Sequence, residues 1–174
     1  VARNQLDPGT VDDVICGCVS QVSEQAGTPG RMAWLAAGFP AHVPSTTIDR
    51  KCGSSQQAVH FAAQAIMAGT QDIVIACGVE SMSRVPMGSS RMGQNTTGQR
   101  FDERYAPGLV GQGVSADLVA AKWGLSRDEL DRYAARSHQR AHAAQSSGDF
   151  TREIVGIQTP KGLVNADETI RAGT

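Results

Sequence analysis

The sequence has few aromatic residues and almost no net charge. Aromatic side chains make up 5% of its 174 residues, while glycine occurs 19 times. This composition favours closely packed α/β layers over a β-sandwich or an aromatic-lined binding surface. Sixteen Lys and Arg residues against 17 Asp and Glu residues give a formal charge of −1. We therefore expect neither a nucleic-acid partner nor an anionic membrane surface.

Long apolar runs and secreted-type cysteine patterns are also missing. The stretch from Cys52 to Gln71 has no charged residue, but its Gln and Ser residues argue against a membrane span. No secretory segment is found at the start of the sequence. Each of the four cysteines lies in an apolar or catalytic-looking stretch of the sequence: Cys16, Cys18, Cys52 and Cys77. These features predict a reducing, cytoplasmic compartment.

Two pairs of residues that could bind a metal lack the further ligands that a metal site needs. Cys16 and Cys18 form a C-x-C pair, but no second pair or His cluster completes it. His138 and His142 are four residues apart, and no third ligand is nearby. We therefore expect no bound metal.

Apolar runs and turn residues predict an alternating order of strands and helices in residues 1–81. The predicted strands cover 11–19, 45–48 and 72–79, and the predicted helices cover 31–37 and 54–68. This alternation is typical of a parallel α/β sheet, whose functional sites gather at the carboxyl ends of the strands. The helix at 54–68 has no charge on any face, so we expect it to be covered on all sides.

The alternation stops after residue 81, and we expect residues 82–174 to form a second, mainly helical domain. Residues 81–113 show no periodicity, which indicates an excursion from the sheet. Beyond it the patterns predict a helix at 115–123, a helix that begins at the S-x-x-E capping box of Ser126 and ends at Ser147, and a strand at 153–158.

Cys52 lies on the predicted turn between a strand and a helix. At such a place the unpaired N–H groups and the positive end of the helix dipole stabilise a thiolate. Gly53 leaves space beside the sulfur, and we expect the N–H groups of Gly53, Ser54 and Ser55 to be available as oxyanion donors. Cys52 is therefore a candidate nucleophile. The motif CGSS alone leaves the alternative open, in which Cys52 is a buried small residue at a helix start.

Three runs of the sequence keep the order and spacing of motifs from one enzyme family. They are IDRKCGSSQQAVHFAAQAIMAGTQDIVIACGVESMSRVPMG, GQGVSADLVAAKWGLSRDELDRYAARSHQRAHAAQSSGDFTREIV and ADETIRAGT. The first resembles the N-terminal half of the thiolases around their nucleophilic cysteine. The second resembles the helical part of the family's loop domain, and the third resembles the segment that follows it. The resemblance implies a layered α/β fold with helices between mixed sheets. This chain would carry the N-terminal half, with the inserted loop domain at 82–174.

The resemblance also implies an acyltransferase activity and its site residues. A thiolase cysteine, here Cys52, takes the acyl group from 3-ketoacyl-CoA while acetyl-CoA leaves, and a second CoA collects the acyl chain. Arg171 matches an arginine that lies against the nucleotide end of CoA. Gln112 stands where acetoacetyl-specific members of the family have a motif like His-Met-Gly, so it is a candidate substrate contact. Because this chain has a different motif there, the length of the acyl chain stays open. Coenzyme A would be a substrate, and no other cofactor is expected.

Properties of the whole protein follow from the resemblance as expectations. The family's catalytic asparagine, histidine and second cysteine belong to its second half, and this sequence begins at Val1 without Met, so we expect a longer protein. The strand at 45–48 is expected to pair across the interface of a homodimer or homotetramer. The expected process is fatty acid β-oxidation. Two alternatives stay open: a ketoacyl synthase-like condensing enzyme and a non-catalytic thiolase-like protein that binds acyl-CoA.

Overall fold

Three apolar runs in the described part of the chain form a parallel sheet. In the computed structural model, β1 (Asp13–Gly17), β2 (Ser45–Ile48) and β3 (Val74–Gly78) lie in the order β2-β1-β3. Gly17 of β1 is in register with Ile48 on one side and with Gly78 on the other. Because both pairings are parallel, the carboxyl ends of these strands meet at one edge. The strand predictions are confirmed, although β1 and β3 are shorter than their apolar runs, and this sheet is parallel and not mixed.

Helices cover both faces of this sheet. They are α1 (Pro29–Ala36) and α2 (Ser54–Met67), which agree with the two helix predictions to within two residues at each end. Successive strand residues point to opposite faces, so Val14 packs in a core with Trp34 of α1, whereas Ile15 packs with Ala58 of α2. The result is a three-layer arrangement of helix, sheet and helix.

The described residues by themselves cover α2 on one side only, so its expected burial on all sides stays a prediction for the longer protein. Ala58 and Ala62, one helical turn apart, are buried against the sheet. The other large apolar side chains of the helix are exposed: Val59, Phe61, Ile66 and Met67. The sheet covers only the side of α2 that faces it, and the described residues leave the opposite side open to solvent.

The structure describes residues 1–171 and 173 and divides the chain into two units, Val1–Phe101 and Asp102–Thr174. The end of the ADETIRAGT run, Ala172 and Thr174, lies outside the described residues. The domain boundary expected after residue 81 stays a prediction. Across the described residues, no helix combines the length and the apolar character needed to cross a membrane.

The described part of the second unit consists mainly of helices and one β-hairpin. The short helix α3 (Gln99–Arg104) lies where the two units divide. The other elements are α4 (Gln112–Trp123), α5 (Arg127–Ser147), β4 (Ile157–Thr159) and β5 (Gly162–Val164). None of the described residues of this unit is buried.

The helix α5 begins and ends at the residues that the sequence predicts. The Ser126 side chain accepts a hydrogen bond from the Glu129 N–H, and the Glu129 side chain accepts one from the Ser126 N–H. Gly148 ends the helix in the left-handed conformation. The strand predicted at 153–158 is wrong, because Pro160 and Lys161 form the turn of a hairpin and the strands begin on either side of it.

Glu80 joins the segments that follow β1 and β3. Its carboxylate accepts hydrogen bonds from the Val19 N–H (2.7 Å), the Ser20 N–H (3.3 Å) and the Gln25 side-chain amide (2.9 Å). Gln25 is buried, and its side-chain oxygen accepts a bond from the Ser81 N–H. Burial by itself raises the pKa of Glu80, but the bonds from Val19, Gln25 and Ser20 outweigh it and hold the pKa below its ordinary value.

Glu80→Gln is expected to lower the thermal unfolding midpoint of the full-length protein at pH 7. A carboxyl group whose folded pKa lies below its ordinary value of 4.5 stabilises the fold above that pH. This contribution is lost as the pH falls through the folded pKa, so the difference between variant and wild type should shrink below about pH 4. Glu24→Gln, which removes an exposed ion pair with Arg84, serves as the control with little change. An equal difference at pH 7 and at pH 3.5 would contradict this role of Glu80.

Candidate active site

Cys52 lies on the turn that leads from β2 into α2, at the carboxyl edge of the sheet. β2 ends at Ile48, and α2 begins at Ser54, directly after Gly53. The Cys52 side chain is exposed. The predicted position between a strand and a helix is therefore confirmed, and the alternative of a buried small residue is wrong.

Ser54 closes this turn with a hydroxyl group from a buried residue. Its Oγ accepts a hydrogen bond from the Arg50 N–H (2.9 Å) and donates one to the Lys51 C=O (2.6 Å). Ser54 is only 4% exposed. Lys51 adopts the left-handed conformation with φ of 48°, which turns the chain sharply just before Cys52. The residues before and after Cys52 are thus tied directly to each other.

The expectation that three N–H groups of this turn are available to an oxyanion is wrong for two of them. The Gly53 N–H donates to the Arg50 C=O (3.1 Å), and the Ser54 N–H donates to the Lys51 C=O (3.0 Å). The nitrogen of Ser55 lies over β1, where a Cβ atom added to Gly17 would come within 2.5 Å of it. The N–H groups of Gly53 and Ser54 therefore bond within the turn and hold its shape.

The two cations that precede Cys52 differ in how their charge is balanced. Lys51 Nζ lies 2.5 Å from Oδ2 of Asp49, and this bond lowers the pKa of the Asp49 carboxyl. Arg50 Nη1 instead donates to the side-chain oxygen of Gln57 (2.7 Å). Because an amide is neutral, it orients the guanidinium without cancelling its charge. A positive charge is therefore held beside the start of α2.

Two other cysteines lie in surroundings that disfavour a thiolate. Burial, together with a smaller effect of the neighbouring Cys77 thiol, raises the pKa of Cys16 to about 11. Burial also raises the pKa of Cys18, with a smaller effect from Glu80. Both side chains are almost completely buried, in contrast to Cys52. A protein-bound electrophile would therefore find Cys52 the more accessible nucleophile.

The candidates for CoA contacts, Gln112 and Arg171, belong to the second unit, whereas Cys52 belongs to the first. Gln112 is the first residue of α4 and is exposed. The backbone N–H of Arg171 donates to Nδ1 of His138 (3.2 Å), which brings Arg171 next to α5. The described residues contain no cluster of three metal-ligating side chains around His138 or elsewhere. The roles of Cys52, Gln112 and Arg171 stay predictions.

A cavity of about 460 Å³ lies between the end of α5 and the hairpin. Its walls are formed by Gln145, Gly148, Phe150, Thr151, Ile154, Gly156, Leu163, Asn165 and Ala166. None of the predicted site residues is among them. The cavity therefore gives no support to the predicted CoA contacts.

Comparison with known protein families decides what kind of chain this is. The family profile described as "Thiolase, N-terminal domain" matches residues 1–174. This chain belongs to the thiolase family. The match covers the Cys52 turn as well as the helices and hairpin of the second unit.

Curated relatives and a solved thiolase structure agree with this assignment. The chain is 44% identical over 178 residues to the steroid 3-ketoacyl-CoA thiolase of Mycobacterium tuberculosis, covering 95% of this chain and 43% of that protein. It is 42% identical over 182 residues to the beta-ketoadipyl-CoA thiolase of Acinetobacter baylyi, covering 94% and 45%. The crystal structure of the dimeric peroxisomal thiolase of Saccharomyces cerevisiae has a TM-score of 0.80 at 32% identity, covering 98% of this chain and 44% of that one. The predicted thiolase fold is confirmed, and the chain spans less than half the length of these relatives.

Sequence reasoning missed the structural role of Ser54 in this thiolase chain. It considered the serine only for its N–H group, whereas the hydroxyl makes the two bonds that close the turn. A signal was present, because a serine hydroxyl often bonds to the carbonyl three residues earlier, here that of Lys51. The bond to the Arg50 N–H had no such signal, since it depends on the left-handed conformation of Lys51.

Ser54→Ala is expected to loosen the Cys52 turn in the full-length protein. The change removes the acceptor of the Arg50 N–H and the donor to the Lys51 C=O, and a net loss of about 0.5–1.5 kcal/mol is typical for each such bond. Hydrogen exchange of the peptide covering residues 49–57 should therefore become faster, at unchanged exchange in the hairpin. Ser147→Ala, which removes an exposed hydroxyl bonded to the Ala144 C=O, is the control. Unchanged exchange at 49–57 in Ser54→Ala would show that the hydroxyl does not hold the turn.

Proposed function

We propose that the protein containing this chain is an acyl-CoA thiolase. It would cleave 3-ketoacyl-CoA with CoA to give a shortened acyl-CoA and acetyl-CoA, or carry out the reverse condensation. The observation that supports this most directly is the exposed Cys52 at the start of α2, within a chain of the thiolase family. The 41–44% identity to proteins named 3-ketoacyl-CoA thiolase supports the same activity.

Cys52 is the proposed nucleophile. Its thiolate attacks the 3-keto carbon, the bond between C2 and C3 breaks, and the electron pair stays on C2 of the departing acetyl-CoA, which then takes a proton. A second CoA thiolate attacks the acyl group on Cys52 and releases the sulfur again as a thiolate. The proton steps need an acid and a base, which we assign to the histidine and second cysteine expected outside this chain.

Coenzyme A is the proposed common part of both substrates, and no further cofactor is included. Arg171 is proposed to lie against its nucleotide end, since a guanidinium pairs well with phosphate, and Gln112 to contact the substrate. Relatives are named for steroid and ketoadipyl substrates, so we leave the acyl group unspecified. Fatty acid β-oxidation and a cytoplasmic location are part of the proposal. Four free cysteines support a reducing compartment.

An acyl adduct on Cys52 is the expected result when the full-length protein is incubated with 3-ketoacyl-CoA, digested and analysed by mass spectrometry. Cys52→Ser should lose the adduct and at least about 10³-fold of the turnover, because a hydroxyl is a far weaker nucleophile at neutral pH. Cys77→Ser is the matched control, since it changes a half-buried cysteine near the end of β3 in the same sheet. It should keep the adduct.

Other results of this experiment would point elsewhere. An adduct on Cys77 in place of Cys52 would contradict the assigned nucleophile. Binding of acyl-CoA without any adduct or turnover would favour the non-catalytic alternative. Condensation that requires a carrier-bound partner, without thiolysis by CoA, would favour the ketoacyl synthase-like alternative.

The protein is also proposed to be a homodimer or homotetramer that pairs through β2. The strand lies at the edge of the described sheet, and a thiolase from yeast with the same fold is dimeric. The Pro44 C=O accepts a hydrogen bond from the Val14 N–H of β1, and the Ile48 C=O accepts one from the Cys18 N–H directly after β1. Because alternate residues of a parallel strand bond to the same neighbour, the backbone groups of Ser45 and Thr47 point to the open edge. They are available to a second copy of the chain.

Thr47→Pro is expected to reduce the assembled fraction of the full-length protein. Proline removes an N–H that faces the open edge, and it is tolerated best on edge strands. Light scattering should show a shift from dimer or tetramer toward monomer, with unchanged helical content by circular dichroism. Thr46→Val, an exposed change on the same strand that keeps the N–H, should leave the assembly unchanged. A fully assembled Thr47→Pro variant would contradict pairing through β2.

A further inference from the structure

The first turn of α2 lies in direct contact with the backbone at the ends of β1 and β3. Gly17 and Gly78 are in register there. A Cβ atom added to Gly17 would lie 2.5 Å from the nitrogen of Ser55, 2.6 Å from the carbonyl carbon of Ser54 and 2.8 Å from Cα of Ser55. Real Cβ atoms do not approach backbone atoms this closely, so only glycine fits at this position.

Gly78 lies under the same helical turn, but its near neighbour is a side chain. A Cβ atom added there would lie 1.9 Å from Oγ of Ser55 and 3.0 Å from Cβ of Ser55. The Gly17 C=O, at 3.2 Å, is the next atom. The two glycines therefore differ in a useful way. Removing the Ser55 side chain relieves the two nearest contacts at Gly78 and leaves only the 3.2 Å approach to the Gly17 C=O, whereas the backbone clash at Gly17 stays in place.

A displacement of this helical turn is transmitted to Cys52. Ser54 belongs to the turn that rests on the glycines, and its hydroxyl is bonded to the Arg50 N–H and the Lys51 C=O. Cys52 lies between these residues, and the Gly53 N–H returns to the Arg50 C=O. Any outward shift of Ser54 and Ser55 therefore moves the residues that carry the Cys52 sulfur.

We propose that Gly17 and Gly78 are positioning residues for the nucleophile: their missing side chains set the distance of the Cys52 turn from the sheet. This inference rests on the proposed role of Cys52. Gly17 sets the position through backbone contact, and Gly78 sets it through contact with Ser55. Neither glycine touches the substrate. Their effect on the reaction is to hold the attacking sulfur in line with the carbonyl carbon.

The test compares Gly78→Ala, Ser55→Gly and the double variant in the full-length protein. Gly78→Ala should lower kcat by about 10- to 100-fold, since a misplacement on the order of 1 Å has that effect on an attacking group. KM for the acyl-CoA substrate should stay within about threefold, because the proposed CoA contacts Gln112 and Arg171 belong to other elements of the chain. Ser55→Gly combined with Gly78→Ala should return kcat to within about threefold of Ser55→Gly alone.

Gly17→Ala and Gly27→Ala complete the series. Gly17→Ala should lower kcat at least as much as Gly78→Ala, and Ser55→Gly should not restore it, because the clash at Gly17 is with backbone. Gly27→Ala is the matched control and should leave kcat unchanged, since a Cβ atom there meets open space and its backbone is not left-handed. If Gly17→Ala fails to fold, the Gly78 and Ser55 cycle still tests the proposal.

The outcomes separate this inference from the proposed function. Wild-type protein without turnover would overturn the proposed thiolase activity, and the rate of Cys52 alkylation by iodoacetamide then replaces kcat as the readout of the same cycle. A change in that rate in Gly78→Ala that Ser55→Gly reverses would still support positioning. Normal kcat and alkylation in Gly78→Ala would overturn it. A loss that Ser55→Gly does not reverse, or a loss of KM and kcat together with a lower unfolding midpoint, would indicate a general structural role and would also overturn it.

Discussion

The contact between the first turn of α2 and the ends of β1 and β3 determines much of what surrounds Cys52. A nucleophile that must meet substrate is exposed, so burial of its own side chain does not hold it in place. The residues on either side of Cys52 do so instead. Ser54 is buried beneath the turn and bonds to Arg50 and Lys51, while the helix that begins at Ser54 rests on the central strand. The turn that carries the exposed sulfur is thus held by the buried residue Ser54. This limits the motion of the sulfur without blocking the access of substrate to it.

The polar groups of the segments that follow β1 and β3 are paired with one another at this end of the sheet. Gln25 is buried, yet both ends of its amide have partners, since it donates to Glu80 and to the Ser20 C=O and accepts from Ser81. A buried amide without such partners costs several kcal/mol in an apolar medium, so this pairing is a condition for burying it. The network joins the segment after β1 to the segment after β3. Two kinds of contact therefore hold this end of the sheet. Hydrogen bonds join the segments after β1 and β3, and the backbone of α2 packs on Gly17.

Sequence patterns predicted the elements whose signals are local, and missed those that depend on how elements meet. β2 and α2 followed from a run of β-branched residues and an uncharged helical run, and α5 followed from the S-x-x-E box at Ser126. The hairpin at Ile157–Val164 was missed because its strands are only three residues long and lack periodicity. The N–H groups of Gly53 and Ser54 were assigned wrongly because their use depends on the backbone conformation of Lys51. The role of Gly17 and Gly78 is visible only once the strands are in register, although both follow a cysteine at the end of an apolar run.

The two units differ in how many of their residues are buried. This difference agrees with the proposal that the first unit carries the nucleophile and the second contacts CoA. The first unit has buried residues on both faces of its sheet, whereas the described second unit has none. α5 is ordered by its capping box, by Gly148 and by its length of 21 residues, because a long helix with good ends needs less tertiary packing than a short one. Attack on a carbonyl carbon requires placement within a fraction of an ångström, which a packed sheet provides. Pairing of a guanidinium with phosphate tolerates more movement, because charge attraction falls off slowly with distance. The nucleophile therefore belongs on the packed unit, and contacts to the nucleotide end of CoA are compatible with the less packed one.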